Sequence, residues 1–274
     1  MNTSNLHKMT ITMLALATAL PLAAATAPGP QAKQEEQPKT TALPDGLEVM
    51  KKSIEASGGA AVLEKHESTM LTGTLAIPAA GIMNAELKVC AKAPDMFYTE
   101  MTLPGLGKFL KGYDGKVGWS IDPVQGARLI EGKELVELQF EANYFKDLYP
   151  EKTYSSVKNL GVKNLDGTSC YMLEMTRKVG GTIYGWFDTT KFHPVQIKTP
   201  NVTEQGEFTA LTTLSDWKTV DGQTMPMKLD SEAMGMKQVV QFKDVTFNKV
   251  EKSVFDLPAA IKVMVDAKKD KAKD

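Results

Sequence analysis

Histidines, cysteines and carboxylates are the residue types in this chain that could do chemistry, and their spacing argues against most of it. Of the three histidines, His7 lies in the apolar N-terminal stretch, which leaves His66 and His193 far apart. Neither has a second His or a Glu at metal-ligand spacing, so the H-E-x-x-H pattern that sets two imidazoles on one helix face is absent. His193 precedes Pro194 at a strand start and reads as a surface or turn residue. Cys90 and Cys170 both sit in strand patterns, outside any Cys-x-x-Cys motif and with no neighbouring His, so zinc or redox chemistry would need the fold to assemble it. Two separate buried thiols acting as small hydrophobes and one structural bridge are both open at this level. No Gly-x-Ser-x-Gly elbow occurs, and Asp and Glu are scattered over polar strand faces with nothing to single out an acid-base pair. The sequence therefore names no catalytic residue, no metal ligand and no cofactor.

Charge narrows the partners. The 274 residues carry 32 Lys+Arg and 33 Asp+Glu. Met1 to Ala25 has the layout of a secretory signal, with Lys8 as the positive region, Met9 to Leu20 apolar, and Ala23-Ala24-Ala25 before a cut after Ala25. The apolar run is shorter than the ~20 residues of a spanning helix, which favours cleavage over retention as an anchor. Cleavage removes only Lys8 among charged groups, leaving a formal charge of -2. That balance argues against nucleic acid, whose partners carry a clustered basic excess. The one basic cluster, Lys268 to Asp274, reads as the solvated end of a terminal helix. Thr26 to Pro44 is rich in Pro, Gln, Lys and Glu and too poor in apolar residues to fold, so it reads as a linker. Residues 45–258 then form one domain and residues 259–274 a charged helical tail, in an exported, periplasmic or secreted protein.

The elements that would position any site are mostly strands. Thirteen strand-like runs lie between Ser68 and Phe247, six before and seven after a helical stretch at Glu131 to Leu148, where Leu135, Leu138, Ala142 and Phe145 follow helical spacing. Asp114-Gly115, Asp166-Gly167 and Asp221-Gly222 mark tight hairpins, which need positive φ at both central positions. A leading helix spans Leu47 to Leu63, stopped or kinked at Ser57-Gly58-Gly59. So many antiparallel strands must curl to avoid a long flat sheet. The chain is rich in Met and aromatic residues, which suit a surface for varied apolar partners. By side-chain type and strand parity, the groove side collects Leu71, Leu75, Leu87 and Val89 from the first two strands. Phe97, Met101, Phe109 and Trp119 follow from the next three, and Trp186, Phe208, Met225 and Met227 from the later ones. Met50 and Ile54 of the leading helix face them as a lid.

The order of these pieces resembles the periplasmic lipoprotein-carrier superfamily, the outer-membrane lipoprotein-sorting (LolA-like) proteins and their relatives, over roughly Leu47 to Pro258. The resemblance rests on Ser57-Gly58-Gly59, Thr72-Gly73-Thr74, Tyr113 to Trp119, the mid-chain helix with Leu138 and Phe145, and Tyr184 to Asp188 followed by His193-Pro194-Val195. Asp216-Trp217, Asp221-Gly222, Pro226 and Phe255-Asp256-Leu257-Pro258 complete it. It implies a mainly β (α+β) fold, a half-open antiparallel β-barrel with two or three helices over its concave face. It further implies a non-enzymatic carrier holding lipid or the acyl chains of lipoproteins, an envelope donor or acceptor protein, and transient membrane contact. An envelope sensor on the same fold, recognising a lipidated or misfolded protein, is the alternative, and a hydrolase a lesser one. The chain departs from the carrier pattern in its linker, its charged tail and its arginines, since neither Arg128 nor Arg177 sits in a matching motif.

Overall fold

Alternating apolar residues and Asp-Gly turns build one sheet in the computed structural model, which describes residues 43–203 and 206–271. The expected signal segment and nearly all of the linker lie outside the described residues. Six strands form a first meander: β1 (Ser68–Ile77), β2 (Ile82–Lys92), β3 (Met96–Leu103), β4 (Gly107–Tyr113), β5 (Gly118–Asp122) and β6 (Gly126–Ile130). Seven form a second: β7 (Tyr154–Leu165), β8 (Thr168–Arg177), β9 (Thr182–Asp188), β10 (Pro194–Thr203), β11 (Gly206–Val220), β12 (Gln223–Ala233) and β13 (Met236–Phe247). Antiparallel pairing of β1 with β13 joins the two into a 13-stranded sheet, with β6 and β7 at its ends. The sheet does not close, and this is the half-open, mainly β architecture that the sequence predicts.

Two of the three Asp-Gly turns are the expected two-residue hairpins, with φ of 48° and 88° at Asp166 and Gly167 and 47° and 82° at Asp221 and Gly222. Asp114-Gly115 differs. Tyr113 pairs with Gly118 across a longer loop, and Asp114 works through its side chain, Oδ1 accepting from the Lys116 and Val117 amides at 2.8 and 2.7 Å. An Asx-type turn replaces the left-handed Asp.

Helices α1 (Gly46–Ala56), α2 (Ala60–Leu63), α3 (Gly132–Ala142), α4 (Pro150–Thr153) and α5 (Ala259–Lys271) complete the fold. The expected break at Ser57-Gly58-Gly59 separates α1 from α2. The mid-chain helix is shorter than its periodicity suggests, because the chain turns after Ala142 and re-forms only one helical turn at Pro150. On the concave face, α1 packs Val49 and Met50 on Tyr154, Leu173, Met175, Ile183 and Phe187 of β7 to β9. Helix α3 packs Leu138 and Ala142 on Phe97, Tyr113 and Ile130 of the first meander. Helix α5 lies beside β6 with Ile261 fully buried.

The convex face of the first meander carries a second buried layer. Strand register puts Met70, Cys90, Tyr98, Gly112 and Trp119 in one row, and Val250, Val254 and Phe255 cover it. Trp119 is 1% exposed and lies flat on Gly112, where an added Cβ would sit 2.5 Å from the indole ring. Gly112 is needed there because the ring occupies the space of any side chain. Overpacking of this kind costs about 1–3 kcal/mol and loss of a buried Trp about 3–5 kcal/mol. Gly112→Ala and Trp119→Ala should therefore both lower the denaturant midpoint, the second more. An unchanged midpoint for Gly112→Ala would mean that the ring is free to move aside.

Candidate functional site

The concave face of the second meander holds a cavity of about 370 Å³ beneath α1. Helix α1 begins at Gly46 because the Asp45 side chain caps it, Oδ1 accepting from the Leu47 amide at 2.8 Å. Its start is tied to the sheet edge, where Asn159 Nδ2 donates to the Pro44 carbonyl at 2.9 Å. Its end is tied to the β11–β12 hairpin: the Thr224 amide donates to the Ser57 carbonyl at 2.9 Å. A Cβ on Gly58, whose φ is +119°, would lie 2.3 Å from the Gly222 carbonyl. Gly58 is required there by the closeness of the two backbones, and Gly222 by its left-handed φ of +82° in the hairpin turn.

The cavity is lined mainly by apolar groups. Met50 and Ile54 of α1 form its roof, and Met175, Ile183, Phe187 and Ile197 its floor. Leu214, Trp217 and Met225 continue the apolar lining onto β11 and β12. Ser53, Ser57, Gln223 and Thr224 add neutral polar groups, and Lys146 and Asp147 are the charged lining residues among those described. Burial pushes the Tyr154 phenol upward, with the Asp147 charge adding to it, so the hydroxyl stays neutral. His193 stacks on Trp217 at 4.3 Å between ring centroids, half-buried rather than on an open turn, and burial holds its imidazole below the ordinary value.

A second, polar cleft of about 280 Å³ lies between α3 and β10 and shares Phe140, Lys146, Ile183 and Thr199 with the apolar cavity. Glu134, Glu137 and Glu141, spaced three and four residues apart on one face of α3, fasten the helix over the sheet. Arg177 donates to both Glu137 oxygens at 2.8 and 2.7 Å and through Nε to the Gly181 carbonyl at 2.9 Å. Its guanidinium also lies 4.5 Å over the Phe140 ring. Arg128 holds Glu134 in the same bidentate way at 2.8 and 2.7 Å, and Lys111 holds Glu141 at 2.8 Å.

The expected groove residues divide into four groups. Met50, Ile54 and Met225 line the cavity, and Met227 lies buried two residues further along β12. Leu71, Leu75, Leu87, Val89, Phe97, Met101 and Phe109 share the concave face of β1 to β4 by register. Several of them are packed away from the cavity, Val89 and Phe97 against α3, and Leu75, Met101 and Phe109 in a cluster with Ile77 and Leu103. Phe208 pairs with Asn201, a residue of the polar cleft. Trp119 and Trp186 require correction. Trp119 belongs to the convex row described above, and Trp186 pairs with Met172, on the side of β9 opposite the inward Ile183 and Phe187. Phe187 escapes the sequence reading because its inward row is interrupted by Gly185; the Phe187 ring folds into that gap, 2.6 Å from where a Gly185 Cβ would be.

Cys90 and Cys170 are free, buried thiols, both pushed up by burial, which disfavours the reactive thiolate. Among the described residues no three His, Cys, Asp or Glu side chains gather to hold a metal ion. What the site can do chemically is to exclude water from apolar surface.

No protein-family model matches this sequence, and no curated protein matches it. Solved structures do resemble the fold. A LolA superfamily protein from Nitrosomonas europaea superposes with a TM-score of 0.54 at 14% identity, covering 78% of this chain and 99% of that one. A DUF1329 family protein from Desulfovibrio piger gives 0.53 at 12% identity, over 77% and 97%. A domain assigned to outer membrane lipoprotein sorting from Vibrio parahaemolyticus gives 0.52 at 13% identity, over 77% and 96%. With one free edge each at β6 and β7 and helices laid over the concave face, the architecture of this chain is a LolA-like fold.

Proposed function

We propose that this chain is an exported, non-enzymatic carrier of the bacterial envelope that sequesters the acyl chain of a lipid or lipoprotein between α1 and the sheet. The observation that carries the reading is the apolar cavity itself, roofed by Met50 and Ile54 and floored by Met175, Ile183, Phe187 and Ile197. Its volume falls at the small end of the ~300–1,000 Å³ typical of ligand sites, suited to one chain rather than a bundle. Each methylene moved from water to such a site contributes about 0.8 kcal/mol, which over a long chain exceeds the several kcal/mol lost on association. Methionine adapts to a chain of varying shape because its thioether side chain is unbranched and polarizable. The LolA-like fold supports the reading and supports a place in the periplasm or envelope.

Delipidated protein should take up a fluorescent fatty acid with one-to-one stoichiometry; no uptake at micromolar ligand would sink the proposal. Filling the cavity supplies a second check. Met225→Trp should weaken acyl binding about tenfold or more, the loss of ~1.4 kcal/mol or more of buried contact. Leu75→Ala, made in the cluster on β1 to β3, should lower stability by about 2–5 kcal/mol and leave the affinity of the remaining folded protein unchanged. Titration of both variants by fluorescence distinguishes the two effects, and equal losses of affinity would move the ligand out of this cavity.

A further inference from the structure

The apolar cavity and the polar cleft meet at Phe140, Lys146, Ile183 and Thr199, so a molecule lying across this junction would have one apolar and one polar end. The charges around the junction are unevenly committed. Glu134, Glu137 and Glu141 of α3 are neutralised by Arg128, Arg177 and Lys111 at 2.8 Å or less. Lys146 is different: among the described residues its ion pair is with the adjacent Asp147, at 3.4 Å. The Asp147 side chain is 72% exposed and that of Lys146 29%, and Lys146 is the charged residue that lines both the cavity and the cleft. An ammonium whose counter-ion stands 3.4 Å away gains from a closer anion.

We infer that the ligand is a single-chain amphiphile with an anionic head, and that Lys146 at the junction receives that head while the chain enters the apolar cavity. The inference rests on the carrier reading and adds the class of ligand. A carboxylate and a phosphate monoester share the required chemistry, a negative oxygen able to accept from Nζ. The chain then runs from Phe140 and Ile183 under α1, where, apart from Asp147 with its exposed side chain, the other lining groups are neutral or apolar.

Competition against a bound neutral fluorescent alkyl probe tests this, with laurate, dodecyl phosphate and dodecanol as the three competitors, at a pH well above the carboxylate range. The native protein should bind the two anions about tenfold more tightly than dodecanol, the scale of one charge-assisted hydrogen bond. Lys146→Met should abolish the preference, so that the three competitors bind with similar affinity, and Lys146→Arg should keep it. The stronger of laurate and dodecyl phosphate identifies the head. Equal binding of the three by the native protein, or a preference that survives in Lys146→Met, overturns the inference while leaving the cavity as an acyl site. Failure of dodecanol and both anions to compete, with no uptake of the probe, defeats the carrier reading itself.

Discussion

The ladder between β1 and β13 is the constraint on which the rest of the molecule depends. Every other strand pairs with its neighbour in the chain, through a hairpin that closes cheaply. This one pairing joins residues near the two ends of the domain, Thr69 with Phe247 and Ala76 with Val239, and must overcome the entropy of a very long loop. It contains a register shift at Thr72/Gly73. There the backbones come so close that a Cβ on Gly73 would lie 2.2 Å from the Gln241 carbonyl. Once the ladder forms, two meanders become one sheet, and its free edges are necessarily β6 and β7. The chain between those edges has then to cross the open side, which is why α3 lies over the concave face.

Free strand edges invite pairing with other chains, and both are obstructed here. Helix α5 lies beside β6, with Lys268 bonded to Glu131 just after that strand. At β7, the start of α1 takes up the space: a Cβ on Gly46 would fall 2.7 Å from the Val157 carbonyl. The helices therefore have two duties at once. They bury the apolar concave surface, and they stop the sheet from growing. The ion pairs of α3 add a third contribution. Arg177, whose side chain is 1% exposed, would be a costly buried charge without Glu137, so α3 and β8 are held in register by the penalty of parting them.

Much of this was legible in the residues, at the level where local chemistry decides. Gly58-Gly59 ends α1 for the reason expected, and Asp166-Gly167 and Asp221-Gly222 turn as their types demand. The Asp114 turn departs from expectation because a side-chain acceptor for two amides competes with the left-handed backbone. The candidate site was legible only in part. Parity correctly groups Leu71, Leu87 and Phe109 on one face, yet it cannot say that α3 and the curl of the sheet occupy that half and leave the space under α1. Trp119 and Trp186 attract attention as the largest side chains of their strands, but size says nothing about which face is inward. Phe187 was hidden by Gly185, and the pairing of the α3 glutamates with Arg128, Arg177 and Lys111 depends on contacts that no spacing in the sequence encodes.

Helix α1 is fastened at both of its ends, to β7 through Pro44 and Asn159 and to the β11–β12 hairpin through Ser57 and Gly58. Its 11 residues span ~16 Å at ~1.5 Å per residue. The four strand intervals from β7 to β11 measure roughly 19 Å along the sheet at ~4.8 Å each. Tied at Pro44 and Ser57, just beyond its two ends, the helix works as a strut of about the length of the surface it bridges. Adding or deleting a turn of α1 would change the radius of the vault beneath it, so the gauge of the cavity is written in the length of its roof as much as in the residues of its walls.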